Sequence, residues 1–205
     1  MRTPNIPAAM LLLTLAGLGG AAVQAQTDVA ASLYGAFTGK TTGNGIEQSP
    51  SNAAGGLLEL RHIRNPIVGY EATYSYNRAN QVYTGASAPC PAAGCTAIVS
   101  ANAHEITGDW VASVHVANLR PFALAGVGLL LDVPVTGNTH LSTSTSTKPV
   151  FVYGGGLDWG LLPHLGLRLQ YRGNLYKAPN LTRLYTSTDA FTHTAEPMVG
   201  VYFRL

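Results

Sequence analysis

The stretch richest in chemistry-bearing residues is KPVFVYGGGLDWGLLPHLGLRLQYRG, Lys148 to Gly173. It carries three consecutive glycines, Asp158, His164, Arg168 and Arg172. Glycines ahead of an acid and two guanidiniums raise the chemistry of a phosphate-cradling loop. Neither G-x-G-x-x-G nor G-x-x-x-x-G-K-[ST] occurs there, so the nucleotide reading fails on spacing. A second constellation is His140-Leu-Ser142, a base and a hydroxyl close enough in sequence for nucleophilic work. It lies in TGNTHLSTSTSTKP, a Ser/Thr-rich stretch in which such a match arises easily by chance. His104 and His193 fall near other long connections. Cys90 and Cys95 bracket a turn-like Pro-Ala-Ala-Gly and are the chain's two cysteines. In an oxidising compartment they read as a disulfide staple, with a pair of free thiols as the alternative. Two sulfurs are too few for a structural zinc, and the spacing is not that of a redox pair. No metal site and no cofactor is implied.

The elements that carry these residues are strands. Leu165, Leu167, Leu169 and Tyr171 alternate with Gly166, Arg168, Gln170 and Arg172, the period of a strand with one apolar and one polar face. Phe151, Tyr153, Leu157 and Trp159 oppose Gly154, Gly156 and Asp158 in the same way, and Gly160–Pro163 reads as the turn between them. Small residues on one face of a strand make room where a narrow tube closes. The same alternation marks Leu33–Gly39, Leu58–Arg61, Val68–Asn77, Asp109–Val116 and Val199–Leu205. Phe122–Val133 is apolar on both parities, and Ala123, Ala125, Val127, Leu129 and Leu131 are assigned the outward face. That makes eight strands and no helix beyond the first 25 residues.

Those 25 residues have a basic start at Arg2, an apolar run from Ala8 to Gly20 and Val23-Gln24-Ala25 as a small-x-small cleavage pattern. This is a secretory signal peptide, leaving 26–205 as one domain. Charged residues make up 11% of the chain, far below the roughly 25% of soluble domains, and the net charge of +2 gives no case for a nucleic-acid partner. The connections sort by length. Lys40–Ala54, Arg78–Ala103, Pro134–Pro149 and Gly173–Pro197 are long; His62–Pro66, Ala117–Pro121 and Gly160–Pro163 are short. A meander with its long loops at one end is the pattern of a transmembrane barrel, whose apolar face meets lipid. A soluble lipocalin-like barrel would place that face inside. Aromatics on the apolar parity favour the membrane: Tyr70 and Trp159 are assigned to the short-turn end, and Tyr76, Trp110 and Tyr153 to the long-loop end.

Val150–Arg172 and the ending Met198-Val-Gly-Val-Tyr-Phe-Arg-Leu205 resemble the small outer-membrane β-barrel proteins, the OmpA transmembrane-domain and OmpX-like group. The resemblance covers the whole chain after the leader. It implies an all-β fold, an eight-stranded antiparallel up-and-down transmembrane β-barrel in the bacterial outer membrane. It also implies outer-membrane lipids and the barrel-assembly machinery as partners. In that family the last strand ends in an aromatic that the machinery reads. Here Leu205 is terminal and Phe203 precedes it by two, so these two residues stand as the assembly signal.

The inward parity holds Glu59, Arg61, Glu71, Asp109, His115, Asp158, Arg168, Arg172 and Arg204. An eight-stranded barrel has room only for side chains, so these are expected to pair across the lumen as an ionic plug. The sequence then points to a monomeric structural or surface-interaction protein with no catalytic residues, and an extracellular ligand, if any, would meet the long loops. The alternatives are a deacylase-like barrel acting on lipid A, which would use His140 and Ser142, and a narrow pore. Tyr83, Tyr176 and Tyr185 are scattered over the loops, which read equally as a binding surface or as solvated caps.

Overall fold

A computed structural model describes residues 26–65, 67–87, 90–135 and 142–205, without the side chains of 86, 87 and 90–95. It contains ten strands: β1 Gln26–Thr38, β2 Thr41–Gly43, β3 Ile46–Pro50, β4 Ala53–Ile63, β5 Val68–Ser87, β6 Cys90–Ser113, β7 Leu119–Pro134, β8 Ser146–Gly160, β9 Leu165–Lys177 and β10 Phe191–Arg204. Eight of them, β1 and β4 to β10, form an antiparallel barrel. It closes where β1 pairs with both β4 and β10 and where β5 pairs with β6. Closure removes every sheet edge from the membrane band, the condition for a sheet to exist in hydrocarbon.

The alternating parity decides what faces each way. Leu33, Leu58, Leu60, Ile106, Val127, Leu129, Leu169 and Val201 are exposed on the outer wall, while Arg61, Arg168 and Arg172 are fully buried within. Ala123, Ala125, Val127, Leu129 and Leu131 all face outward along β7, as the sequence suggests. A soluble barrel would have the opposite polarity.

Several boundaries differ from the sequence reading. The long connection Arg78–Ala103 is mostly strand: β5 and β6 run on as a paired arm beyond the barrel. Its Asn, Ser and Thr content masks the alternation, because outside the membrane neither face must be continuously apolar. Lys40–Ala54 contains the β2–β3 hairpin, which docks on β5. Asn44 and Gly45 form its two-residue loop, both with positive φ, as a type I′ turn requires. β6 ends at Ser113, so Val114 and Val116 lie in the following turn. Trp110 pairs with Tyr70 and so belongs to the short-turn end, not the long-loop end; the barrel register, invisible in one strand, sets that level.

The aromatic belts include histidines. Tyr74 Oη lies 2.9 Å from His104 Nδ1, and Tyr153 Oη lies 3.0 Å from His193 Nε2, both on the long-loop side. On the short-turn side the His62 ring centroid is 5.2 Å from that of Tyr70, and His164 stacks on Phe203. Amphipathic rings with a polar tip suit the boundary between acyl chains and headgroups. The expected leader lies outside the described residues, as do the sulfur atoms of the expected Cys90–Cys95 disulfide.

Candidate functional site

The lumen is built by the inward parity of all eight barrel strands. Its charged side chains form one continuous network. Arg61 sits on β4 between Glu59 of the same strand and Glu71 of β5, with Nη2 2.9 Å from Glu59 Oε1 and 2.7 Å from Glu71 Oε2. Asp158 of β8 accepts from Arg168 across the β8–β9 pair, through Nε at 2.6 Å and Nη2 at 2.9 Å, a two-point contact that fixes both groups. Asp158 also accepts from Arg120 Nη2 at 2.7 Å, and Arg168 reaches across the lumen to Glu59. Further along, Arg172 donates to Asp109 at 3.1 Å and to Thr107 at 3.1 Å, and it lies 3.5 Å from Glu71 and 3.7 Å from Glu105. Glu71 therefore links the two halves.

One aromatic organises the middle. The Phe122 ring lies under the Arg61 guanidinium at 4.0 Å and within 5.4 Å of that of Arg168, so its face supplies the attraction a carboxylate would otherwise supply. Gly156 leaves the space. A Cβ there would come within 2.7 Å of the Phe122 ring and 2.3 Å of the Leu169 carbonyl. This is what the glycine run does: it admits an aromatic beneath arginines.

Of the expected residues, Glu59, Arg61, Glu71, Asp109, Asp158, Arg168 and Arg172 meet in this network. Arg204 sits at the short-turn rim, its side chain one-third exposed and its Nε 4.0 Å from Asp28. His115 does not join. β6 has ended before it, and the ring is exposed in the turn, so the parity of the strand no longer controls its direction. Partial burial, then the charges of Arg120 and Arg204, pulls its pKa below the ordinary histidine value. The strand reading missed Asp28, Glu105, Arg120 and Glu196, all buried. Each lies on the inward parity of a strand whose sequence-assigned end stopped short of it. Glu196 fell inside the connection assigned as Gly173–Pro197, whereas β10 begins at Phe191.

Towards the long-loop end the lumen turns acidic. Glu105, Asp132 and Glu196 surround Asn174, which donates to Glu105 at 2.9 Å. The cavity between them is about 30 Å³ and lined by polar and apolar side chains alike, a size that holds roughly two waters.

Above the barrel the connections pack on one another. Ile46 of the β2–β3 hairpin, Tyr83 of β5, Ala97, Val99 and Ala101 of β6, and Leu181 and Tyr185 of the β9–β10 connection form a buried apolar cluster. Tyr83 Oη donates to the Pro179 carbonyl at 3.0 Å and accepts from Leu181 N at 3.1 Å. Burial pushes the Tyr83 hydroxyl pKa up. Asn44 Nδ2 ties the hairpin tip to the Ser187 carbonyl at 2.7 Å. Tyr83 and Tyr185 are buried in this cluster, so these connections are a cap with its own core and not solvated strings; Tyr176, expected in a loop, lies on β9 and is buried in the barrel with Val150 and Val152. Ser142 is exposed on the β7–β8 connection, and His140 lies outside the described residues. Phe203 and Leu205 face outward at the short-turn end.

Comparison with known proteins agrees with this architecture. Neisserial surface protein A is similar in structure, with a TM-score of 0.57 and 16% identity over 88% of this chain and 99% of that one. Ail, the attachment invasion locus protein of Yersinia pestis, was solved with the heparin analogue sucrose octasulfate. It aligns with a TM-score of 0.52 and 13% identity over 89% of this chain and all of its own. AlkL, an outer membrane protein, gives 0.51 and 14% identity over 100% of this chain and 97% of that one. At these identities the likeness is one of fold. A comparison with curated proteins finds no match. The family model for the outer membrane protein beta-barrel domain matches residues 9–203. With charge inside, hydrocarbon-compatible side chains outside and the long loops at one end, the chain belongs to the outer membrane protein beta-barrel domain family and is a barrel of the bacterial outer membrane.

Proposed function

We propose that this protein is a non-conducting barrel that serves the outer surface of the cell, as a structural element of the envelope and as a platform for contact with external partners. The observation that carries this reading is the pairing of a plugged lumen with an ordered cap. A solute channel needs a clear path, and here Arg61, Arg168 and Arg172 occupy the centre, each held by carboxylates. A contact surface needs shape, and the buried cluster around Tyr83 and Leu181 gives the loops one from their own side chains. A preformed surface loses less conformational entropy on binding than a mobile one. Neisserial surface protein A and Ail support the architecture of this reading through shared fold, not through shared sites.

Two measurements test it. In planar bilayers the purified barrel is expected to give no sustained openings; stable unitary conductance would refute the plug. On cells, the cap is expected to be needed for surface contact. A Tyr83→Ala variant that still assembles should lower adherence to a host-cell layer while leaving envelope permeability to vancomycin unchanged. Unchanged adherence with raised permeability would restrict the role to envelope structure.

A further inference from the structure

The short-turn end of the barrel carries a cationic pocket where Arg120, at the edge of the ionic network, meets Arg204 and His115. Its cavity is about 290 Å³ and is lined by His115, Arg120, Arg204 and Tyr202, with Leu161 and Leu162 at its edge. Three features make it a built site. First, Arg120 and Arg204 have no carboxylate to themselves. Asp158 is shared among Arg61, Arg120 and Arg168. Asp28 takes Arg120, lies 4.0 Å from Arg168, and is the one carboxylate within that distance of Arg204 among the described residues. Second, Arg120 Nη1 and Arg204 Nε have no hydrogen-bond partner. Buried guanidinium nitrogens are normally satisfied, so the cluster has donor capacity to spare. Third, the geometry is held from behind. Tyr202 packs over Arg120 at 5.9 Å and against Gly166, where a Cβ would come within 2.4 Å of the ring.

The neighbours define the ligand's chemistry. Arginine pairs with phosphate oxygens through two parallel donors, and the histidine and tyrosine tips add further polar contacts. Leu161 and Leu162 are both exposed beside the cations, so the pocket has a polar throat and an apolar lip. With the short turns on the periplasmic side, as in this family's architecture, that lip lies at the level of the inner-leaflet headgroups.

We propose that the short-turn mouth binds a phosphate oxyanion through Arg204, Arg120 and His115, supplied by an anionic phospholipid headgroup or by free phosphate. Partial burial, then the charges of Arg120 and Arg204, lowers the His115 pKa there. An anion in the pocket opposes the arginine charges and raises it, because a nearby negative charge favours the imidazolium.

The test uses the full barrel in an uncharged maltoside detergent. Inorganic phosphate and dihexanoyl-phosphatidylglycerol are titrated separately by calorimetry, with sodium chloride at matched ionic strength as control. Saturable binding of either probe is expected, with the His115 pKa rising in NMR titration. Binding should weaken at least tenfold in Arg204→Gln and also in His115→Asn, which changes only an exposed turn and keeps the test open if the first variant assembles poorly. Phosphatidylglycerol binding alone assigns the headgroup as the source; binding of both assigns the oxyanion itself. No saturation with either probe, an equal response to chloride, or full binding retained in an assembled variant would overturn the proposal.

Discussion

Arg168 shows how much a single side chain carries inside a narrow barrel. It bonds Asp158 at two points and Glu59 at another, and none of the three has water as an alternative. An ion pair buried this way is weak evidence for net stability, since desolvation offsets much of the attraction. Removing one partner is different, because the remaining charges stay buried. Arg168→Met is therefore expected to destabilise the barrel by about 3–5 kcal/mol, read by urea unfolding in lipid vesicles. Undiminished stability would mean that Asp158 and Glu59 find other partners, and the network would not be the plug described here. Phe122 and Gly156 belong to the same scale. The glycine matters for the atom it lacks, which the sequence shows only as composition.

At the scale of elements, the arm formed by the outer parts of β5 and β6 turns a set of loops into a cap. The β2–β3 hairpin adds to one side of the arm, and the β9–β10 connection folds its Leu181 and Tyr185 against the other elements of the cluster. Tyr83 is the pin, with its ring in the cluster and its hydroxyl bonded to the backbone of residues 179 and 181. Tyr83→Ala removes both and is expected to expose residues 178–190 to limited proteolysis. The barrel strands should be spared, because their ladders do not depend on the cap. The check is the pattern of cleavage beside retained heat-modifiable migration on a gel. Cleavage of the barrel strands would show that cap and barrel unfold together. The hairpin had a legible signal in Asn44-Gly45, the strongest two-residue turn signature in the sequence. The arm had none, because alternation fades where neither face must satisfy lipid.

For the whole molecule, charge and hydrocarbon have exchanged places relative to a soluble protein. The apolar outer wall is stable only in lipid or detergent. Val127 lies midway along β7 on that wall and is two-thirds exposed. Val127→Arg is expected to cost about 2–4 kcal/mol in vesicles, as a charge near the bilayer midplane does in such barrels. No cost would place Val127 outside the hydrocarbon. Polarity also varies along the barrel axis. Arginines gather towards the short turns, and Glu105, Asp132 and Glu196 gather under the cap.

The sequence by itself determined the period of two, the outward stripe and the sorting of loops, and hence a membrane barrel. Each of these is local, because a strand's alternation needs no knowledge of its neighbours. It also marked seven of the network residues, whose parity is fixed within strands it had already delimited. Only the tertiary structure decided who pairs with whom, since register and shear relate strands far apart in the chain. It alone brought Asp28, from the first strand, to Arg120 and Arg204. It alone showed that Tyr83 and Tyr185 share one buried cluster above the barrel while Tyr176 packs inside the barrel, because the partners of that cluster come from four separate segments and no periodicity connects them.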